Sequence, residues 1–405
     1  MRPTETRRFT RTIARIAAGL FVAVILAVAT SWWASLPATP DAFYAAPDVL
    51  PSEPGVLIRM EPFEKTVPAG VRAWRILYST TRHGGSAAIA SAVVATAETA
   101  PPGPRPVIAW AHGTTGVAAG CAPSVMSKPF AHVPAFADIF REGWIYVGTD
   151  YAGLGTSGGH AYLVGEEAAR AVLDAVRAAR RLPNLDVADR TVVWGHSQGG
   201  NSALWTGILA PTYAADVKLS GVAALAPASD LSQLVTTGKK TIFGKIVSAF
   251  LMKAYGETYP DVRAETPKSG LLHVAVSDIA GRCVGGIETF FSVAETLLVP
   301  EDGVFARPPT EGALGARLRE NTPRRPISVP VLIAQGEDDD LVLPAVQAGY
   351  VTERCTAGQK IDGRTYAGRD HLSLVAPGSP AAADLVAWTR DRLAGREFVS
   401  TCPAR

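Results

Sequence analysis

The stretch Gly195-His196-Ser197-Gln198-Gly199-Gly200 combines residue types and spacing that fit nucleophilic catalysis. A serine hydroxyl becomes a useful nucleophile only when a neighbouring base takes its proton. A very tight strand-to-helix turn lifts such a serine above the sheet and aims the N–H groups of the helix start at developing negative charge. Side chains two residues before and after the serine would collide where the chain crosses itself, so Gly195 and Gly199 read as supports of the turn. Glycine and serine are common, and the string alone is weak. Its flanks carry the weight: TVVW before it reads as a buried strand, and NSALWTGILA after it as a helix.

Partners for Ser197 should follow it in the order acid, then histidine. Only His273 and His371 lie downstream. His273, inside the apolar LLHVAV, reads as a packed residue, whereas His371 in YAGRDHLSL falls on a loop between the last strand and the last helix. The acid should follow a late strand, and VPVLIAQG runs into Glu337, Asp338, Asp339 and Asp340. Burying more than one of these carboxylates is costly, so one turns inward. Asp339 is the first choice, Asp338 the second and Asp340 the third, in the role of orienting the imidazole. An oxyanion needs two donors: the backbone N–H of Gln198, and one from Thr115 or Thr114 in HGTTG, with a threonine hydroxyl as a third contact. His112 lies upstream and shapes that loop. His196 points sideways from the turn and has a supporting place only.

These residues need a scaffold that delivers them to one edge. VRAWRILYST and SAAIASAVVAT read as strands around the turn TRHGG, and VIAWA, WIYVGT, TVVWG, LSGVAALAP and ISVPVLIAQG as short buried strands. Helical patterns occupy roughly 165–180, 201–210, 344–353 and 381–393, with a short strand at IDGRTY. Such alternation predicts an α/β fold: a mostly parallel sheet covered by helices on both faces. Residues 39–70 are proline-rich with little periodicity and read as an extended leader packed on the domain. Residues 71–228 and 329–405 make the core. Between them, 229–328 is an insertion too long for a loop, mainly helical and apolar at IFGKIVSAFLMKAY and IETFFSVAETLLV, and is expected to cap the site.

The chain of 405 residues has a net charge of +2, which gives no reason to expect a nucleic-acid partner. Residues 1–38 hold Arg2, Arg7, Arg8, Arg11 and Arg15, then IAAGLFVAVILAVAT and SWWASLPATP. That is the layout of an export signal with a cut near Ala34 or Ala38, or of an uncleaved membrane anchor. Either way the body lies outside the cytosol, at the cell envelope or beyond. There, four cysteines, Cys121, Cys283, Cys355 and Cys402, suit two disulfides, and three pairings are open. Their spacing supplies no metal motif, and the proposed chemistry calls for neither metal nor organic cofactor.

AHGTTG at 111–116, CAPS at 121–124, DYAGLG at 150–155, GHSQGG at 195–200, QGEDDDLV at 335–342 and YAGRDH at 366–371 together resemble the secretory lipase family of α/β-hydrolases, in particular its bacterial branch. The resemblance covers most of the chain after about residue 50. Its pattern of glycine, acid and valine falls on Gly336, Asp339 and Val342, and Ser197 and His371 match the other catalytic positions. It implies the pairs Cys121–Cys283 and Cys355–Cys402, a helical cap, and hydrolysis of triacylglycerols or other fatty esters. The fungal enzymes carry an aspartate where this loop reads TTG, which leaves the second oxyanion donor open. The resemblance also implies a lipid or other ester as the partner, with transient contact between cap and lipid interface. A carboxylesterase for short or small-molecule esters is the alternative reading, and a non-catalytic binding protein on the same fold is a more distant one.

Overall fold

A computed structural model describes residues 3–99, 102–265, 270–286, 288–301, 303–305 and 307–403; Arg2, part of the basic start read above, lies outside them. Nine described strands form one sheet: β1 Leu57–Pro62, β2 Val71–Thr81, β3 Ala87–Ala97, β4 Arg105–Ala111, β5 Ile145–Ala152, β6 Val187–His196, β7 Leu219–Leu225, β8 Val331–Gly336 and β9 Ile361–Tyr366. Their spatial order is β1-β2-β3-β5-β4-β6-β7-β8-β9. β1 to β3 are antiparallel, β3 meets β5 antiparallel, and every pairing from β5 through to β9 is parallel.

Helix α1 spans Pro3–Ala34, and α2 Phe136–Arg141, α3 Gly165–Ala179 and α4 Gln198–Tyr213 follow. Between β7 and β8 come α5 Leu231–Gly238, α6 Ile242–Thr258, α7 Pro260–Glu265, α8 Leu271–Ala280, α9 Glu288–Thr296 and α10 Gly312–Glu320; α11 Pro344–Thr356 and α12 Pro380–Leu393 complete the chain. The central parallel strands carry apolar runs, VIAWA in β4, VVW in β6, VAAL in β7 and VLIA in β8, because both of their faces are covered. Along β4, Val107, Ala109 and Ala111 enter the core shared with α3 and α4, while Ile108 and Trp110 enter the one shared with α2 and α12. β8 divides likewise, Val331 and Ile333 against Leu332 and Ala334. Each such valine, leucine or isoleucine contributes about 1.5–3 kcal/mol on burial. Trp194, fully buried, keeps its indole N–H satisfied by Thr389 Oγ1 at 2.9 Å, which ties α12 to β6, the strand that leads to Ser197.

This is an α/β-hydrolase fold with a large helical insertion. The insertion has its own apolar core, in which Leu231, Val235, Phe250, Tyr255 and Leu318 pack against Tyr162, Leu163 and Val164 from the loop between β5 and α3. The disulfides are Cys121–Cys283 and Cys355–Cys402, the pairs that the resemblance implies. Two local readings differ from the structure. β1 lies inside the stretch read as a leader with little periodicity, because at the sheet's edge nearly all of its residues are half-buried and no apolar alternation is needed. His273 is half-buried on α8 rather than packed, since its neighbours Leu272 and Val274 face outward.

Candidate active site

Ser197 sits at the tip of the β6–α4 turn with φ 58° and ψ −118°, a conformation that costs a non-glycine residue about 1–3 kcal/mol. The surroundings hold it there. Its N–H donates to Leu225 O at 3.0 Å, and its carbonyl accepts from Ala228 N at 3.1 Å. The flanking glycines are required by contact distance: a Cβ on Gly195 would lie 1.9 Å from Gly199 O, and one on Gly199 would lie 1.9 Å from Ala111 O. Gln198 is the first residue of α4, so its N–H has no partner within the helix.

Of the four successive acids, Asp339 alone is buried; Glu337, Asp338 and Asp340 are exposed. Asp339 Oδ1 accepts from Leu341 N (2.9 Å) and Val342 N (2.8 Å), and Oδ2 from Gln335 Nε2 (3.1 Å) and His371 Nδ1 (2.8 Å). Four donors fix the carboxylate, and its bond to Nδ1 leaves His371 Nε2 to act as the acceptor. That Nε2 is buried and has no hydrogen-bond partner. The loops of acid and histidine meet where a Cβ on Gly336 would lie 2.2 Å from Arg369 O, and Asp338 N donates to Arg369 O at 3.0 Å. His371 is further set by a turn in which Asp370 Oδ1 accepts from Leu372 N and Ser373 N, while Asp370 N donates to Ser373 Oγ.

His196 joins the loop of His371 to the turn at Ser197. Its Nε2 donates to His371 O at 2.9 Å, and the two rings lie 4.7 Å apart. Burial, followed by the neighbouring His371, holds its pKa well below the usual histidine value, so it stays a neutral Nε2–H tautomer. The sequence places His196 beside Ser197 but carries no signal for this contact. Gln335 and His160 escaped the sequence reading too. Gln198 Nε2 donates to His160 Nε2 at 3.0 Å, which puts the imidazole proton on Nδ1, facing Ala152 O at 3.3 Å. Burial, then His112, lowers the His160 pKa to about 3.

The loop after β4 passes Ser197 at Gly113, where a Cβ would lie 3.6 Å from that of the serine. Thr114 Oγ1 hydrogen-bonds Tyr162 OH at 2.7 Å. Thr115 Oγ1 is buried without a partner, and Thr115 O accepts from Val284 N of the insertion at 2.8 Å. Cys121–Cys283 and the bridge Gly116–Cys283 clamp the same junction. His112 packs on Tyr151 behind the loop, and burial lowers its pKa. The DYAGLG and CAPS segments meet at buried Asp150, which accepts from Ser91 Oγ (2.6 Å), Ser124 N (2.9 Å) and Ser124 Oγ (2.5 Å); burial raises its pKa despite these bonds. Among the described residues no group of His, Cys, Asp and Glu converges as a metal site.

Comparison with known proteins gives the same picture at family level. The model of a family described as secretory lipase matches residues 133–401. The chain is 24% identical over 312 residues to Lipase 5 of Candida albicans, covering 70% of this chain and 64% of that protein. It is 25% identical over 271 residues to Lipase A of Arthroderma benhamiae, covering 65% and 55%. Thus it spans less than two thirds of the length of both. Among solved structures it resembles Candida antarctica lipase A in its closed state, with a TM-score of 0.72, 18% identity, and coverage of 91% of this chain and 89% of that one. A rice cell wall degrading esterase, LipA of Xanthomonas oryzae, superposes with a TM-score of 0.64 at 19% identity, over 85% and 99%. At these identities the likeness concerns the fold.

Proposed function

The chain belongs to the secretory lipase family, and on that premise we propose that it hydrolyses carboxylic esters with Ser197 as nucleophile, His371 as base and Asp339 as the orienting acid. One observation carries the reading: the 2.8 Å bond between Asp339 and His371 Nδ1 leaves a buried, unpartnered Nε2 on a histidine tied to the residue beside Ser197. His371 Nε2 takes the Ser197 proton as Oγ attacks the ester carbonyl carbon. The oxyanion is received by the N–H of Gln198 and one from Thr114 or Thr115, each such donor worth about 10²–10³ in rate. Nε2–H then protonates the departing alkoxide, which leaves as the alcohol. Water repeats the cycle on the acyl-enzyme, releasing the acid and restoring Ser197.

Fatty acyl esters, triacylglycerols included, are the proposed substrates. The reading is supported by the lipase names of the relatives and by the apolar insertion at residues 229–328, taken as a cap on a core of 71–228 and 329–405. The threonines of the HGTTG loop favour the bacterial branch. α1 contains a 23-residue apolar stretch, Thr12–Ala34, consistent with export. We take it to be retained as an anchor, because cleavage after Ala34 would set a new ammonium group on Ser35, whose Oγ lies 2.5 Å from Nη1 of fully buried Arg282. The assay is hydrolysis of p-nitrophenyl esters of increasing chain length and of emulsified triacylglycerol, with Ser197→Ala alongside. Rates that hold or rise with chain length and vanish in the variant are expected. Equal turnover by Ser197→Ala would remove the site assignment, and activity confined to short soluble esters would replace lipase by carboxylesterase.

A further inference from the structure

Helix α9 and the turn that follows it expose an apolar stripe. Phe290, Ala294, Leu297 and Leu298, at i, i+4, i+7 and i+8, face outward, with Phe290 69% and Leu297 77% exposed. The first turn of α6 lies alongside, because Lys245 Nζ donates to Thr296 O (3.2 Å) and Val299 O (2.6 Å). That turn exposes Ile242 and Phe243 two residues past the exposed Lys240, within GKKTIFGK. Contiguous exposed apolar surface marks a contact site, and an apolar face edged with lysine suits the headgroup layer of an anionic membrane.

The position of the stripe names its occupant. The Arg282 guanidinium lies over the Trp32 ring at the end of α1 (5.0 Å) and over the Phe291 ring on α9 (5.3 Å). Ser35, the residue after α1, bonds to that arginine, and a Cβ on Gly120 would lie 2.1 Å from Ala38 O. No linker therefore separates the apolar helix from the body. Thr12–Ala34 is about 34 Å long as a helix, enough for a hydrocarbon core of about 30 Å, and Trp32 and Trp33 mark its outer rim. Phe291, next in the chain to Phe290, is thus separated from Trp32 by the one guanidinium, so the stripe starts at the level of that rim.

We infer that the α9 stripe and the first turn of α6 rest in the outer leaflet of the same membrane that α1 spans, placing the cap on the lipid surface. The inference rests on the proposed retention of α1 and goes beyond it. Its test uses the full chain reconstituted in phosphatidylcholine–phosphatidylglycerol vesicles. All four native cysteines are in disulfides, so a single new thiol takes an environment-sensitive fluorophore. Labels go on Phe290→Cys and Leu297→Cys, with Pro183→Cys, exposed before β6 at the far end of the strands, as control. Blue-shifted emission at 290 and 297, with most of it lost to doxyl-labelled lipid and no change at 183, is expected. Water-like emission at 290 and 297 in a vesicle-bound protein would overturn the docking alone. So would a blue shift untouched by doxyl lipid, which would mark a second protein copy as the cover. Recovery from native membranes of a soluble protein beginning near Ser35 would overturn the retention, and the docking with it. Hydrolysis of a short soluble ester reports that each labelled variant is folded.

Discussion

Replacing Asp339 with asparagine tests the assembly of the site most sharply, because it changes one atom and leaves the shape intact. Asp339 Oδ1 receives two backbone N–H groups, from Leu341 and Val342, so the amide oxygen of asparagine must take that side. The amide NH₂ then occupies the Oδ2 position, facing Nδ1–H of His371 and the Nε2 amide of Gln335, both of them donors. The imidazole escapes by moving its proton from Nδ1 to Nε2, and Nε2 can no longer accept the proton of Ser197. In a triad of this type the wrong tautomer costs about 10⁴ in kcat, about 5 kcal/mol of transition-state stabilisation. KM should change little, because no substrate contact is lost. The unmet buried donor adds about 1–3 kcal/mol of destabilisation, to be read from urea unfolding. Steady-state hydrolysis of p-nitrophenyl butyrate by Asp339→Asn, Asp338→Asn and Asp340→Asn makes the comparison. The two exposed acids should leave kcat and stability near wild type. An Asp339→Asn enzyme within tenfold of wild type, or an equal loss at Asp338, would refute the reasoning.

Gly199→Ala should abolish hydrolysis and lower the urea midpoint by the equivalent of about 1–3 kcal/mol or more, since its Cβ would meet the rigid backbone at Ala111 O, 1.9 Å away; a fully active, equally stable variant would contradict the crossing geometry. Glu295 on α9 has its pKa raised to about 8 by burial and then by the facing Asp278 carboxyl, with Arg282 opposing. A raised carboxyl pKa gives stability that is complete below the unfolded value near 4.5 and is lost as pH rises through about 8. Unfolding midpoints measured across that window should fall with pH, and Glu295→Gln should flatten the fall; parallel curves would remove Glu295 as the cause.

Much of the site is legible in the chain because its constraints are local. A serine between glycines, with an apolar strand before it and a helix after it, identifies the turn, since only glycine fits where the backbone passes 1.9 Å from a missing Cβ. The buried parallel strands are visible for a similar reason: coverage on both faces leaves apolar runs that no loop would carry. Edge strand β1 is not, because half-buried residues leave no periodic trace.

What tertiary structure alone decided depends on contacts between distant segments. Four successive acids differ little in composition, and Asp339 is singled out because Gln335, Leu341, Val342 and His371 converge on it. His196 looks like part of the serine motif, yet its hydrogen bond reaches 175 residues along the chain to His371 O. Helix α9 and the turn after it read as one more apolar stretch of the insertion, and only their packing shows that Phe290 and Leu297 face outward while Phe291 lies near the end of α1. Sequence pattern reports which side chains must leave water; which surface they meet is set by the neighbours that folding brings to them.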